Sequence, residues 1–420
     1  MKHKMKLCSQ PFNMIRSGQK TYELQLYDEK RHMVQVNDEI EFSCFDGNES
    51  PIVVQVIALH LFKNFEELYA ALPLLKCGYT KDTIYTAGLE DMNQYYSVEE
   101  QALYGVVGIE IKLKSTTTEK QMIVDTHIHL SHYLYNNEFP YLSYEAGNYV
   151  IRRGTREQLI ERLKSVNIGF CVDPAIDLES NSRLLALADQ MPGFIFSAVG
   201  VHPKRTFQYK RIGKDGKAET VRLQWKNRRL IDSYSKHSSV VAIGETGLDY
   251  HLPKKEQHRL HQKAWFVYQL KLAHKKNLPV VLHIREAHED GIKILKRYKK
   301  YLHGGVCHCF SGDAKTAAAY TTMGLTIGIG AALLADSPKK AEIEQAVIHT
   351  PLECIVLETD GPYVKPDCPD FKRKQLLKAR NTSMILHAVA ERIAELKSVT
   401  IEEVLSVTSS NACRLFRISN

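Results

Sequence analysis

From about residue 122 onward, short apolar runs alternate with amphipathic stretches for roughly 290 residues, and this alternation restricts the fold more than any other feature. The runs end in Asp125-Thr126-His127-Ile128-His129, Cys171-Val172-Asp173, Val199-Gly200-Val201-His202 and Ile243-Gly244-Glu245. Four more end in Val281-Leu282-His283, Val306-Cys307-His308, Ile327-Gly328-Ile329 and Leu357-Glu358-Thr359-Asp360. Helix-like stretches lie between them at 156–166, 179–188, 257–276, 289–301 and 314–323. Near-continuous apolar strands separated by amphipathic helices make a parallel sheet covered by helices. Eight such units in this length predict an α/β fold, a closed (β/α)8 barrel of the TIM type, rather than an open sheet. No glycine-rich phosphate loop follows the first strand, which argues against a dinucleotide fold.

A chain of 420 residues exceeds what one core usually organises, so two domains are expected. The polar stretch Ser115-Thr116-Thr117-Thr118-Glu119-Lys120-Gln121 lacks large apolar residues and is the predicted linker, dividing residues 1–114 from 122–420. Before it, β-like runs at 52–57 and 105–111 flank one helical segment at 65–72, which predicts a small α+β domain. Through Ser115, 12 lysines and arginines stand against 16 acidic residues, a net of −4. The remainder carries 44 against 32, a net of +12 within the total of +8. The asymmetry directs the second domain, and not the first, toward an anionic partner.

Hydrophobic residues at 44% and charged residues at 25% are globular values that exclude extended disorder. No apolar run approaches the roughly 18–20 residues of a membrane span. The basic start at residues 1–6 is not followed by the apolar stretch of a secretory leader. Nine scattered cysteines do not form a disulfide framework, and Cys307 and Cys309 lack the second pair a zinc knuckle needs. These features predict a cytoplasmic protein with reduced thiols and no membrane partner.

Five strand ends carry residues of metal-binding type: His127 with His129, Glu245, His283, His308 and Asp360. Those ends are where a (β/α)8 barrel assembles its active site. A strand's period of two aims His127, His129 and Asp125 to one side. Cys307 and Cys309 have the opposite parity to His308 and should face the helical shell. A lone histidine at a strand end is more often structural, and one His-x-His pair is weak. Four imidazoles and two carboxylates around one mouth are harder to explain without a cation, because burying them unpaired is costly. Imidazoles favour Zn2+ or Mn2+, whereas carboxylates and a phosphate substrate suit Mg2+ or Mn2+. Arg285 follows His283 by two and should face the same mouth, where a guanidinium binds phosphate bidentately; the alternative is a buried salt bridge with Glu245 or Asp360. His202 and Ser311 are candidate substrate contacts or loop caps, and Glu358 a candidate for orienting a ligand.

The segments Asp125-Thr126-His127-Ile128-His129-Leu130, Gly200-Val201-His202-Pro203, Gly244-Glu245-Thr246-Gly247-Leu248-Asp249-Tyr250, His283-Ile284-Arg285-Glu286-Ala287, His308-Cys309-Phe310-Ser311-Gly312 and Leu357-Glu358-Thr359-Asp360-Gly361-Pro362-Tyr363 resemble, in order and spacing, the successive motifs of TatD-type metal-dependent DNases. Arg380-Asn381 and Asn411-Ala412-Cys413-Arg414-Leu415-Phe416 resemble that family's closing helices. The resemblance implies an exonucleolytic phosphodiesterase acting on DNA, as single strands or at ends. It implies two divalent metal ions, one held by His127, His129, Glu245 and Asp360, the other by bridging Glu245 with His283 and His308. Glu245 and Asp360 would be catalytic, Asp360 accepting a proton from bound water. A competing reading is a binuclear hydrolase of a small amide or ester. Many such barrels bridge their metals with a carboxylated lysine, where this chain has Glu245.

Two stretches are longer than the family pattern. Residues 133–153 are rich in Tyr and Asn. Residues 204–229 carry ten lysines and arginines against Asp215 and Glu219, with Phe207, Tyr209 and Trp225 interleaved and a hairpin tip at Gly213-Lys214-Asp215-Gly216-Lys217. Both should lie on the catalytic rim. The second reads as a ribbon for single-stranded nucleic acid, or else as a solvated hairpin. Residues 5–113 resemble an ASCH domain, a PUA-like small β-barrel, through Gly18-Gln19-Lys20-Thr21-Tyr22-Glu23-Leu24, Asp28-Glu29-Lys30-Arg31, Val36-Asn37-Asp38-Glu39-Ile40 and Glu99-Glu100-Gln101-Ala102-Leu103-Tyr104-Gly105-Val106-Val107-Gly108. Gln25 stands where that pattern has arginine. This second resemblance implies recognition of RNA or a modified nucleoside, the third functional reading. Lys20 and Glu23 would line a polar cleft there or form a surface pair.

Overall fold

The computed structural model describes residues 1–45, 51–80, 83–88, 90–93, 95–114, 121–211, 218–222, 224–251 and 256–418. The chain divides into two compact units, Met1–Glu119 and Lys120–Asn420. The expected linker (apart from Gln121) and the expected hairpin tip at 213–217 lie outside the described residues.

The first unit contains β1 (Lys2–Leu7), β2 (Tyr22–Leu26), β3 (Glu39–Cys44), β4 (Ile52–Phe62) and β5 (Val106–Lys114), hydrogen-bonded in the order β1-β3-β4-β5-β2. Alternation along β3 and β4 turns Ile40, Phe42, Val54 and Val56 into a core with Phe12 and Ile15 of the helix Ser9–Arg16. The expected helix is Phe65–Ala71, whose cap Asn64 accepts from Glu67 N at 3.0 Å. A helix at Val98–Tyr104 was legible as the Ser97/Glu100 capping box but was not anticipated. Lys20 and Glu23 are not a surface pair: Nζ lies 3.1 Å from Oε2 with both side chains nearly buried. Gln25 donates to Glu23 Oε1 at 2.8 Å, and Arg31 brings a guanidinium within 2.7 Å of Gln25 Oε1.

The second unit begins with β6 (Ile123–Asp125), β7 (Phe139–Glu145), β8 (Asn148–Gly154), β9 (Ile168–Pro174), β10 (Ile195–Val199), β11 (Phe207–Arg211) and β12 (Ala218–Arg222). It continues with β13 (Val240–Asp249), β14 (Val280–Arg285), β15 (Gly305–Cys307), β16 (Thr326–Ile329) and β17 (Ile355–Leu357). Strands β6, β9, β10, β13, β14, β15, β16 and β17 pair in that order, all parallel. The ring closes where Thr126 N donates to Leu357 O at 3.0 Å and Asp360 N to His127 O at 2.9 Å. β7 with β8 and β11 with β12 are separate antiparallel hairpins.

Strand parity divides the apolar residues. Leu282, Cys307, Ile327 and Ile355 pack with helix residues such as Trp265, Leu270 and Tyr320. Val281, Val306 and Val356 turn the other way, with Phe170 and Val172, into the barrel. His283, His308 and Glu358 follow those three valines by two and stand above them. Helices Arg156–Ser165, Leu178–Gln190 and Ile401–Phe416 start at the caps Thr155, Asp177 and Thr400. Among the described residues, no helix is long and apolar enough to cross a membrane.

Candidate metal centre

Strand β6 stops at Asp125, so His127 and His129 sit in an extension beyond it, held by a parallel bridge between Ile128 and Gly361. Asp125 is fully buried and ties this extension to the opposite end of the chain. It accepts from His127 N at 3.1 Å, Thr359 Oγ1 at 2.7 Å and Ser383 Oγ at 2.7 Å. Asp360 has a φ of 52°, a left-handed conformation that a non-glycine residue keeps only where its surroundings impose it. Glu245, expected at a strand end, lies inside β13, which runs on to Asp249.

Glu245 is buried between two pairs of histidines, with one carboxylate oxygen toward each. Oε2 lies 3.7 Å from Nε2 of both His127 and His129. Oε1 lies 2.8 Å from His308 Nε2 and 3.1 Å from His283 Nδ1. Asp360 Oδ1 joins the first pair, 3.4 Å from His129 Nε2 and 3.7 Å from His127 Nε2. All six expected residues are therefore brought together. His127, His129 and Glu245 form one group of potential ligands and Glu245, His283 and His308 another, the atoms of each within 4.8 Å of one another.

Hydrogen bonds on the far ring nitrogens decide which nitrogens face the centre. Pro174 O can only accept, so His129 Nδ1, 3.1 Å away, carries the proton and Nε2 presents its lone pair inward. His283 Nε2 lies 2.9 Å from Asp249 Oδ2, which likewise turns the Nδ1 lone pair toward Glu245. His283 Nδ1 and His308 Nε2 are 3.0 Å apart with the same carboxylate oxygen beside both. His127 is fully buried and stacks on His308 at 3.8 Å, yet among the described residues neither of its ring nitrogens has a hydrogen-bond partner. Lone pairs converging on a carboxylate, with a buried imidazole left unsatisfied, fit a divalent cation.

The electrostatics agree. Burial opposes the charge on Glu245, but the surrounding imidazoles, His308 foremost, hold its carboxyl well below the usual range. Burial, and then the neighbouring His308, keep His127 neutral. Burial also disfavours charge on His129 and His283, yet Asp360 beside one and Asp249 beside the other hold both up to about 9. A negative field that retains a proton at these nitrogens would equally retain a metal ion.

The remaining expected residues divide. His202 reaches the centre: Nδ1 accepts from Lys204 N at 3.0 Å, which leaves the proton on Nε2, 3.6 Å from Glu245 Oε1. It is thus both cap and inward-facing donor. Glu358 is buried, accepts a hydrogen bond from Cys309 N, and lies 3.9 Å from His308 Nδ1; burial, then Asp360, push its carboxyl well above the usual range. Gly328 makes room for it, since a Cβ there would come within 2.1 Å of Glu358 Oε2. Arg285 is exposed at the end of β14 and, among the described residues, pairs with neither Glu245 nor Asp360. Ser311 is half-buried, its carbonyl accepting from Lys339 at 3.4 Å. Cys307 packs outward as expected, but Cys309 does not. A φ of 45° just past the end of β15 breaks the strand parity, and Cys309 lines a hollow with Glu358 and Asp360.

Two contributors were missed. Asp249 fixes His283, and Lys204, assigned above to the basic ribbon, pairs with Asp249 Oδ2 at 3.1 Å. The signal was present: Asp249 follows Glu245 by four within one strand, so both point the same way. Of the ribbon's aromatic residues, Phe207 is buried against His258, and Trp225, which stacks on Trp265 at 5.2 Å, keeps 43% of its surface exposed.

A parallel barrel with imidazoles and carboxylates converging at its mouth defines the class: a metal-dependent hydrolase. Residues 124–417 match the family described as TatD related DNase, and the chain belongs to that family. It is 32% identical over 298 residues to the uncharacterized metal-dependent hydrolase YabD of Bacillus subtilis, covering 71% of this chain and 100% of that protein. It is 30% identical over 264 residues to the 3'-5' ssDNA/RNA exonuclease TatD of a Rahnella species, covering 63% of this chain and 93% of that one. The crystal structure of YJJV, a TatD homologue from Escherichia coli, shares the fold with a TM-score of 0.55 at 24% identity, covering 71% of this chain and 98% of its own.

Proposed function

We propose that this chain removes nucleotides from an end of single-stranded nucleic acid, DNA foremost, using two divalent cations at the barrel mouth. The observation that carries this reading is the division of Glu245, one oxygen toward His127 and His129 and the other toward His283 and His308. A carboxylate so divided suits two cations about 3.5–4 Å apart across a phosphodiester. His127, His129, Glu245 and Asp360 would hold one; Glu245, His283 and His308 would hold the other. Mg2+, Mn2+ and Zn2+ all suit this mixed set. Bound there, such cations supply positive charge beside the phosphoryl oxygens and a water acidic enough to deprotonate near neutral pH.

The chain's own groups would do the rest. Asp360 Oδ1 would take the proton of the attacking water. His202 would donate from Nε2 to a phosphoryl oxygen, while Arg285 and Ser311 would hold the strand at the rim. Relatives named 3'-5' ssDNA/RNA exonuclease support both the substrate and the polarity, and the net +12 of the second part supports an anionic substrate. Residues 1–114 would form a separate ASCH-like recognition module. Nine scattered cysteines without a disulfide framework are in keeping with a cytoplasmic location.

The test is direct. End-labelled single- and double-stranded DNA and RNA are incubated with each ion and the products sized on a gel. A ladder shortening from the 3' end is expected, fastest on single strands. Absence of cleavage with every ion, together with hydrolysis of a small amide or carboxyl ester, would replace this reading by the small-molecule one.

A further inference from the structure

Next to the His129 side of the centre lies a group of rings with no role in holding a cation. Tyr363 follows Asp360 by three, and its ring lies 5.7 Å from that of His129 and 5.6 Å from that of His132. Tyr133 packs on His132 with centroids 4.1 Å apart. His132 is buried and bonded at both nitrogens. Leu134 N donates to Nδ1 at 3.1 Å, so the proton sits on Nε2 and is donated to the Tyr363 hydroxyl oxygen at 3.0 Å. Although so braced, Tyr133 remains 65% exposed and Tyr363 45% exposed. Tyr133 opens the stretch 133–153, rich in Tyr and Asn. Large rings held rigid and left uncovered beside a polar mouth mark a binding surface.

We propose that Tyr133 and Tyr363, braced by His132, form a stacking shelf for a nucleobase within the terminal nucleotides of the strand being cut. The proposal rests on the nuclease reading above. A nucleobase is the chemistry that fits, because it offers a flat π face on the same molecule whose phosphate reaches the neighbouring carboxylates and imidazoles. Stacking of this kind is tolerant of sequence, since every base has such a face. It also selects against duplex, because a paired base is already stacked and must first leave its helix at a cost of a few kcal/mol. The shelf thus confers a preference for unpaired ends without reading bases.

The experiment compares single-stranded oligonucleotides that carry normal bases with others abasic at the last three positions. Tyr133→Ala should raise KM on the normal strand on the order of tenfold, the scale of one base–ring stack, with kcat nearly unchanged. It should cost nothing on the abasic strand, and Tyr133→Trp should restore the parent KM. An equal rise on both strands, or none on either, overturns the shelf. If the parent cleaves no oligonucleotide, the nuclease reading fails, and the shelf is judged separately by quenching of a 2-aminopurine at the strand end. Quenching by the parent that disappears in Tyr133→Ala supports the shelf. Equal quenching in both proteins, or none in the parent, overturns it.

Discussion

The two sides of Glu245 are built differently. On the Oε2 side, His127 and His129 stand 3.7 Å away and are held by backbone, through the Pro174 carbonyl and the bonds that close the barrel. On the Oε1 side, His283 and His308 come within 3.1 and 2.8 Å, and the residues behind them are carboxylic. Asp249 bonds His283 at 2.9 Å and Glu358 lies 3.9 Å behind His308. A carbonyl behind an imidazole fixes its tautomer and direction; a carboxylate also raises its basicity and so its grip on a cation. Asp249 thus gives His283 a support that neither His127 nor His129 has, whereas burial keeps Glu358 from acting as a carboxylate on His308. A cation on the Oε1 side is therefore expected to depend on Asp249, and one on the Oε2 side is not.

Glu245→Ala should break both sides together. Turnover on a single-stranded oligonucleotide should fall by at least about a hundredfold, the scale on which transition-state electrostatics are lost. Metal analysis should show both ions depleted. Near-parent turnover in the folded variant would remove the shared-ligand assignment. Asp360→Asn should break the Oε2 side alone, since the amide keeps the shape but is a poor base and a poorer ligand. A large fall in kcat with little change in KM is expected, with one ion retained. A collapse in affinity at normal kcat would make Asp360 a binding residue instead.

Asp249→Asn sharpens the contrast by leaving every direct ligand in place. Metal affinity should fall about 10- to 100-fold for one of two ions, the usual cost of losing such a partner, and stay unchanged for the other. Equal weakening of both, in a competition titration, would erase the distinction between the sides. The smallest effect belongs to the hairpin of β7 and β8, which supplies none of the six converging residues. A hydrogen bond from Arg152, opposed by burial and helped by Ser143 and Arg162, holds the Glu145 carboxyl down to about 2. A depressed folded value contributes stability above the ordinary 4.5 and loses it as pH falls through about 2. Glu145→Gln should therefore cost about 1 kcal/mol or less near neutral pH, as solvent-open ion pairs do. The difference in melting temperature should vanish toward pH 2, with metal content unaffected. A difference persisting there would point to packing instead.

Four of the five expected helices of the barrel were legible to within a residue or two; the one at 289–301 ends at Arg297, and Arg228–Tyr234 and Lys340–His349 were not anticipated. The stretch expected at 156–166 is Arg156–Ser165, and that at 314–323 is Ala314–Thr321. Periodicity and caps are local, and local signals survive folding. Strand ends were read less well. His127 and His129 were taken as strand residues, but their extended backbone is set by a bridge from Ile128 to Gly361, more than half the chain away. Cys309 failed for a related reason, because parity ends where a strand ends. Phe207 failed because residue type does not tell whether a ring meets solvent or packs on His258.

What the sequence determined by itself was the order of the eight barrel strands and the identity of the six converging side chains. Those follow from spacing along short segments, where the backbone's period of two or 3.6 aims each side chain. Only the tertiary structure decided which oxygen of Glu245 meets which pair of histidines, which ring nitrogen faces inward, and that Lys204 belongs to the centre. Each of those facts depends on a contact between groups far apart in the chain, such as His129 with Pro174, 45 residues on, or His283 with Asp249, 34 residues before. Hydrogen-bond geometry at that range is created by closing the barrel, and no local pattern encodes it.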